Sequence, residues 1–187
     1  MIVSIHQPNF MPWYPFFQKI ADADTFCILT KCQFEKNNFQ NRFNLNGKWH
    51  TMSVNKGLDP IDTKNYLNAR KDWGRIKENL KEYNSVLSEF DDCISDSLAD
   101  TNINIIKKTC EWLGIKTKIV TDWDTSLTST ERLVDICDRL GATSYLSGQS
   151  GKTYMNFSLF SNKDIKVEFQ PTNTIIQRPI LEVLKNG

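Results

Sequence analysis

The sequence predicts an α/β fold: one domain over residues 1–187, with a largely parallel sheet, flanking helices and a helical insertion at about 72–114. Three observations lead there. Short, almost continuously apolar runs at 2–6, 25–29, 117–121 and 144–147 read as strands covered on both faces, the pattern of a parallel sheet. Segments with helical spacing of apolar residues separate them, and alternation of the two types indicates α/β architecture. A length of 187 residues is enough for one well-buried domain.

The elements follow in order. Ile2, Val3 and Ile5 make the first strand, Pro8 and Pro12 break it, and Trp13, Phe16, Phe17 and Ile20 resume at helical spacing. Thr25 to Leu29 is a second buried strand, so the opening reads as a β-α-β crossover. Asn46-Gly47 between Phe43 and Trp49 favours a type I′ hairpin turn. Residues 57–71 lack a period and read as a mobile, basic connection with one helical turn. Helices are expected from Asp72 as N-cap, from Ser85 through Phe90, Ile94 and Leu98, and from Thr101 to Leu113 with Gly114 as C′ residue. Thr117–Thr121 returns to strand, Thr128-Ser129-Thr130-Glu131 is a capping box for a helix ending at Gly141, and strands follow at 144–147 and 166–169.

Composition excludes several classes. With 40% hydrophobic and 24% charged residues the chain is neither disordered nor fibrous. Lys+Arg at 23 against Asp+Glu at 22 offers no overall field for nucleic acid or an anionic membrane, so an anionic ligand must be held locally. Met1 leads straight into a strand-like run, and no run reaches the roughly 20 apolar residues of a membrane helix, so a cytoplasmic protein without membrane insertion is expected. The five cysteines show no C-x-x-C spacing, which argues against a disulfide framework or zinc ribbon. Cys32, beyond the second strand, is the one to test for reactivity. No metal site is expected.

Three loops carry the candidate chemistry. After the first strand stand His6, with Gln7 and Asn9 as neutral hydrogen-bonding groups and Trp13 and Tyr14 as flat surfaces. The crevice past the carboxyl end of a parallel strand is where ligands bind in open α/β sheets. His6 is thus a general acid or base there, or else a satisfied structural histidine. After the second strand, Lys36 and Arg42 suit a phosphate or carboxylate, with an ordinary solvated loop as the alternative. After the strand at 144–147, Ser147-Gly148-Gln149-Ser150-Gly151-Lys152-Thr153 combines glycines, hydroxyls and a lysine, either as an anion nest or as a tight turn. It is not a P-loop, since Leu146 stands where the first glycine belongs. The expectation is that Trp13 is mostly buried, that His6 and Asn9 face a cleft, and that His6, Arg42 and Lys152 converge.

His6-Gln7-Pro8-Asn9-Phe10-Met11-Pro12-Trp13, Phe16-Phe17-Gln18-Lys19-Ile20, Gln33-Phe34-Glu35-Lys36 with Asn41-Arg42, and Tyr145 through Tyr154 together resemble the WbqC family over nearly the whole chain. The sequence departs from the family at Pro15, at Thr30 and Lys31 where an acidic pair is usual, and at Phe43. The resemblance implies a bacterial protein of O-antigen or other surface-polysaccharide gene clusters. The resemblance does not supply a reaction; with the three loops it leads to the expectation of an enzyme acting on a nucleotide-linked sugar, a transferase of acyl or aminoacyl groups to an amino sugar, with an aminoacyl-tRNA as one donor. The alternatives are a non-catalytic glycan-precursor binding or assembly protein and an ATP-dependent amide ligase. In this reading His6 is catalytic; Gln7, Asn9, Tyr14, Lys36 and Arg42 bind substrate; and Ser147, Gly148, Ser150, Gly151, Lys152 and Tyr154 bind phosphate. The order of parts also resembles nucleotidyltransferase-like Rossmannoid folds, at the level of fold analogy.

Overall fold

A computed structural model describes residues 1–171 and 178–186. The elements are β1 (Ile2–His6), α1 (Tyr14–Ala21), β2 (Thr25–Ile28), β3 (Arg42–Leu45), β4 (Lys48–Thr51), α2 (Ala69–Asn79), α3 (Asn84–Ser88), α4 (Leu98–Trp112), β5 (Lys118–Thr121), α5 (Ser129–Arg139), β6 (Ser144–Ser147), α6 (Phe157–Ser161), β7 (Lys166–Phe169) and α7 (Ile180–Asn186). The chain sorts into two compact units, one from residues 1–6, 15–29 and 115–171, the other from 7–14, 30–114 and 178–186. None of the described helices is long and apolar enough to cross a membrane.

The first unit is the expected α/β sheet. Five strands stand in the order β5-β2-β1-β6-β7, and every neighbouring pair is parallel. The two faces of β1 are read from its alternation. Val3 and Ile5 join Cys27, Leu133, Ile136, Tyr145 and Phe160 in one core, which α5 and α6 cover. On the other side Phe26 meets Phe16 of α1 edge to face at 5.4 Å. Thr128 is the N-cap of α5 as expected, but its side chain makes no capping bond. Gly141 follows α5 at φ +73°, the left-handed residue a helix exit favours.

The second unit holds the hairpin and the helical insertion. Asn46 and Gly47 both have positive φ, 52° and 77°, which is the type I′ turn the dipeptide predicts. Phe10 is fully buried and packs on Phe43, Tyr66 and Trp73 with ring centroids 5.7 to 6.5 Å apart. Removing such a ring costs roughly 3–5 kcal/mol.

Three helical expectations need correction. Asn68, not Asp72, precedes α2; Asp72 lies in its first turn and accepts from the Ser53 amide at 2.6 Å, a tertiary bond that sequence spacing does not reveal. The helix expected over 85–98 is broken: α3 ends at Ser88, a short 3₁₀ turn spans Asp91–Cys93, and Ser97 then caps α4 by accepting from the Asp100 amide. Residues 57–71 do carry the expected single helical turn, at Ile61–Thr63, but the connection is anchored by a buried charge. Lys64 is fully buried and its ammonium donates to the Asn55 and Lys56 carbonyls and to Asp59, at 3.1 to 3.2 Å. An internal cation thus gathers the acceptors that a loop would otherwise give to water. Gly114 at φ +69° closes α4 as expected.

Candidate functional site

In the first unit the strand order itself marks a place for a ligand. The chain leaves β1 for β2 on one side, whereas β6 passes to β7 on the other, so the order reverses between β1 and β6. Helices then cover opposite faces of the two strands, and in open sheets of this order the region past the carboxyl ends at the reversal is where ligands bind. The register Ser4↔Leu146, carried on by two residues, sets His6 level with Gly148. His6 is half-buried and meets the ring of Phe16 edge-on at 5.0 Å.

The 147–154 loop after β6 is a compact 3₁₀ turn over Gln149–Thr153. The Gly151 amide donates to the Gly148 carbonyl at 3.1 Å, and that of Met155 to the Gly151 carbonyl at 3.1 Å. Neither glycine has positive φ. Gly151 is required by closeness instead, because a Cβ there meets the Ser147 hydroxyl and the Met155 side chain. Ser147 and Gly151 are therefore built into the turn, and its exposed side chains are Ser150, Lys152, Thr153 and Tyr154. The Lys152 ammonium stands 4.8 Å from the Phe169 ring centroid. Gln170 ties the parts together: its amide nitrogen donates to the Pro15 carbonyl at 2.8 Å, and its carbonyl accepts from Gln149.

One residue in this unit was missed by sequence reasoning. Lys19 of α1 is only 4% exposed, and its ammonium reaches the Ile5 carbonyl at 3.3 Å, one residue before His6. Burial pushes its pKa down to about 7. A lysine among Phe16, Phe17 and Ile20 at helical spacing was the available signal, since it stands on the apolar face.

The second unit holds the remaining candidates. Gln7 donates to Glu35 at 3.1 Å and accepts from Gln40 at 2.7 Å, and Gln40 in turn accepts from the Glu35 amide at 2.8 Å. Fully buried Asn102 donates to the Pro8 carbonyl at 2.8 Å and the Gln40 carbonyl at 2.7 Å, which fixes the loop carrying Asn9. Asn9 and Tyr14 are half-buried and Lys36 is exposed. Arg42 lies with its guanidinium 4.0 Å from the Trp49 ring centroid and donates from Nη2 to the Asn37 carbonyl. Trp13 is 37% exposed, against expectation. Fully buried Phe10 and Met11, the latter at φ +46°, take the inward positions of the turn and leave the indole outside.

The cysteines divide cleanly. Cys27, Cys110 and Cys137 are buried with thiol pKa values raised to about 12 and Cys93 to about 11, all chiefly by desolvation, whereas Cys32 is half-buried. The described residues contain no group of three or more His, Cys, Asp and Glu side chains placed to hold a metal ion.

Comparison with known proteins agrees with the motifs. The model of the WbqC-like protein family matches residues 7–179. A protein of Mycobacterium tuberculosis (strain ATCC 25618 / H37Rv), described as uncharacterized protein Rv1507c, is 31% identical over 185 residues, covering 88% of this chain and 80% of its own. No solved structure matches at a significant level. The opening His-Gln-Pro motif, the sheet it enters and the Ser-Gly-Gln loop beside it thus occur in a chain that belongs to the WbqC-like protein family.

Proposed function

We propose that this protein is a transferase of bacterial surface-polysaccharide synthesis that moves an acyl or aminoacyl group onto the amine of a nucleotide-linked amino sugar. The observation that carries the reading is the level placement of His6 and Gly148 at the carboxyl ends of β1 and β6, on either side of the point where the strand order reverses. Membership of the WbqC-like family supports it.

In the step proposed, the sugar amine attacks the acyl carbonyl carbon and a C–N bond forms. His6 accepts the amine proton and returns it to the leaving oxygen or sulfur as that bond to the acyl carbon breaks. Gln7, Asn9, Tyr14, Lys36 and Arg42 bind the substrate. Phosphate contact falls to Lys152, with Ser150 and Tyr154 presented on the same turn and Gly148 allowing close backbone approach. Ser147 and Gly151 act by shaping that turn.

The test is incubation of the protein with nucleotide-linked amino sugars and acyl-thioester or aminoacyl-tRNA donors, read by mass spectrometry. A mass gain on the sugar, abolished in His6→Asn while the nucleotide-sugar still binds, is the expected result. Lys152→Ala should weaken that binding by roughly 1.5–3 kcal/mol, the range for a hydrogen bond to a charged group, less at high salt. Tight binding without turnover would replace the transferase with a precursor-holding protein, and release of pyrophosphate or phosphate from ATP would replace it with an amide ligase.

A further inference from the structure

The outer face of the β3–β4 hairpin carries a second set of binding groups. In the antiparallel register Arg42 pairs with Thr51, Phe43 with His50, Asn44 with Trp49 and Leu45 with Lys48. Alternation places Phe43, Leu45 and His50 inward, where all three are buried, and leaves Arg42, Asn44, Trp49 and Thr51 on the other face. Trp49 is 45% exposed, and Phe39 touches it at 5.4 Å while itself 38% exposed. Two large aromatic rings in contact at the surface form a platform that hydrophobic burial alone would have turned inward.

Arg42 gives that platform a charge with fixed direction. Its guanidinium stacks over the indole, and Nη2 is tied to the Asn37 carbonyl. Its Nε is buried and has no hydrogen-bond partner among the described residues. Buried donors are almost always paired, and stacking on the indole together with the bond to Asn37 holds this guanidinium in one orientation. Around the ring stand Asn44, whose side-chain oxygen accepts from the Gly47 amide at 3.2 Å, and Thr51, neutral groups suited to hydroxyls.

We infer that the Trp49–Arg42 face of the hairpin is a subsite for a sugar ring bearing an oxyanion, the ring stacked on Trp49 and Phe39 and the anion on the Arg42 fork. The C–H face of a pyranose is apolar and matches an indole, and a phosphate or carboxylate accepts from a planar guanidinium along one edge. The inference deepens the proposed function and rests on it for the choice of a sugar as ligand.

The test follows the Trp49 indole N–H by ¹H–¹⁵N NMR, assigned among the five tryptophans by its loss in Trp49→Phe. Glucose 1-phosphate and glucuronate are the probes, separating phosphate from carboxylate as the anion; glucose, inorganic phosphate and uridine monophosphate are the comparisons. At least one of the two probes should shift the Trp49 signal saturably, with glucose and inorganic phosphate each at least tenfold weaker. Trp49→Ala and Arg42→Lys, read through saturation transfer to the probe, should each weaken binding about tenfold, with Trp49→Phe retaining most of it. No shift with either probe, equal shifts with inorganic phosphate alone, or tighter binding of uridine monophosphate would each overturn the inference. No donor is present, so the result is independent of turnover. A saturable Trp49 shift in a protein that never modifies a sugar sinks the transferase and keeps the subsite, and turnover unaffected by Trp49→Ala does the reverse.

Discussion

The ammonium of Lys19, on α1, donates to the backbone carbonyl of Ile5, 3.3 Å away, from a position only 4% exposed. Burial lowers its pKa from 10.5 to about 7. Between those two values the unfolded chain holds a proton that the native protein does not, so this group makes stability rise with pH. From pH 7 to 8.5 the gain should be about 1–2 kcal/mol. The window stops there because the buried thiols act in the opposite sense above their ordinary value of 9. Urea unfolding of wild type and Lys19→Met at the two pH values checks this: the wild type should gain relative to the variant, and parallel behaviour would falsify the assignment.

Gly148 and Gly151 separate binding from folding within one turn. A Cβ at Gly148 meets nothing within 4 Å, and the residue has φ −69°, so Gly148→Ala should leave stability within about 0.5 kcal/mol of wild type. At Gly151 the added carbon meets Ser147 and Met155, and overpacking of this kind costs roughly 1–3 kcal/mol. Thermal unfolding gives the two costs. Nucleotide-sugar affinity then reads the site, and it should fall in Gly148→Ala if backbone approach matters there.

The sheet was legible because buried parallel strands are short apolar runs that little else resembles. β1, β6 and β7 match the expected runs, β2 and β5 each differ by one residue at an end, and the Asn46-Gly47 turn follows from its own φ requirements. What stayed hidden depends on partners distant in sequence. Asp72 reads as an N-cap until Ser53 is seen to claim its carboxylate. Lys64 reads as solvated until the three acceptors around it are known. The five-residue helix α6, capped by Asn156, is too short to display a period. At the candidate site, residue types were readable and their employment was not. Gln7 is already engaged with Glu35 and Gln40, and Lys19 announces itself only as a charge on an apolar stripe.

Asn102 should prove to be a structural residue of the opening loop. It is fully buried on α4 and its amide serves both the Pro8 and Gln40 carbonyls. Asn102→Ala leaves two buried acceptors without a donor, at a cost of roughly 2–4 kcal/mol. Asn102→Asp should be worse, because a carboxylate faces two carbonyl oxygens. Chemical denaturation measures both, and a loss under 1 kcal/mol in Asn102→Ala would show that the loop is held by other contacts.

Thiol labelling should single out Cys32. The other four cysteines are buried, with thiols pushed up to about 11 or 12, so at pH 8 they hold little thiolate. Iodoacetamide on the native protein should add one carbamidomethyl group quickly, on Cys32, and the remaining four only on unfolding. Rapid addition of two or more, located by peptide mass spectrometry, would show that a buried site opens readily.

Trp13 should contribute little to stability in spite of its place in the most distinctive motif of the chain. Its helical spacing from Phe16, Phe17 and Ile20 reads as a core position, but the turn before α1 overrides that spacing. Phe10, Met11 and Pro12 are all buried, and Met11 takes a left-handed backbone that only a well-packed turn sustains in a residue with a side chain. The next side chain then emerges, and Trp13 is left 37% exposed. Trp13→Ala should cost about 1 kcal/mol, whereas Phe10→Ala, which empties the space between Phe43, Tyr66 and Trp73, should cost roughly 3–5 kcal/mol. Equal losses in the two variants would return Trp13 to the core. The expected gap instead frees the indole for a ligand, and Trp13→Ala should then lower nucleotide-sugar binding more than it lowers the melting temperature.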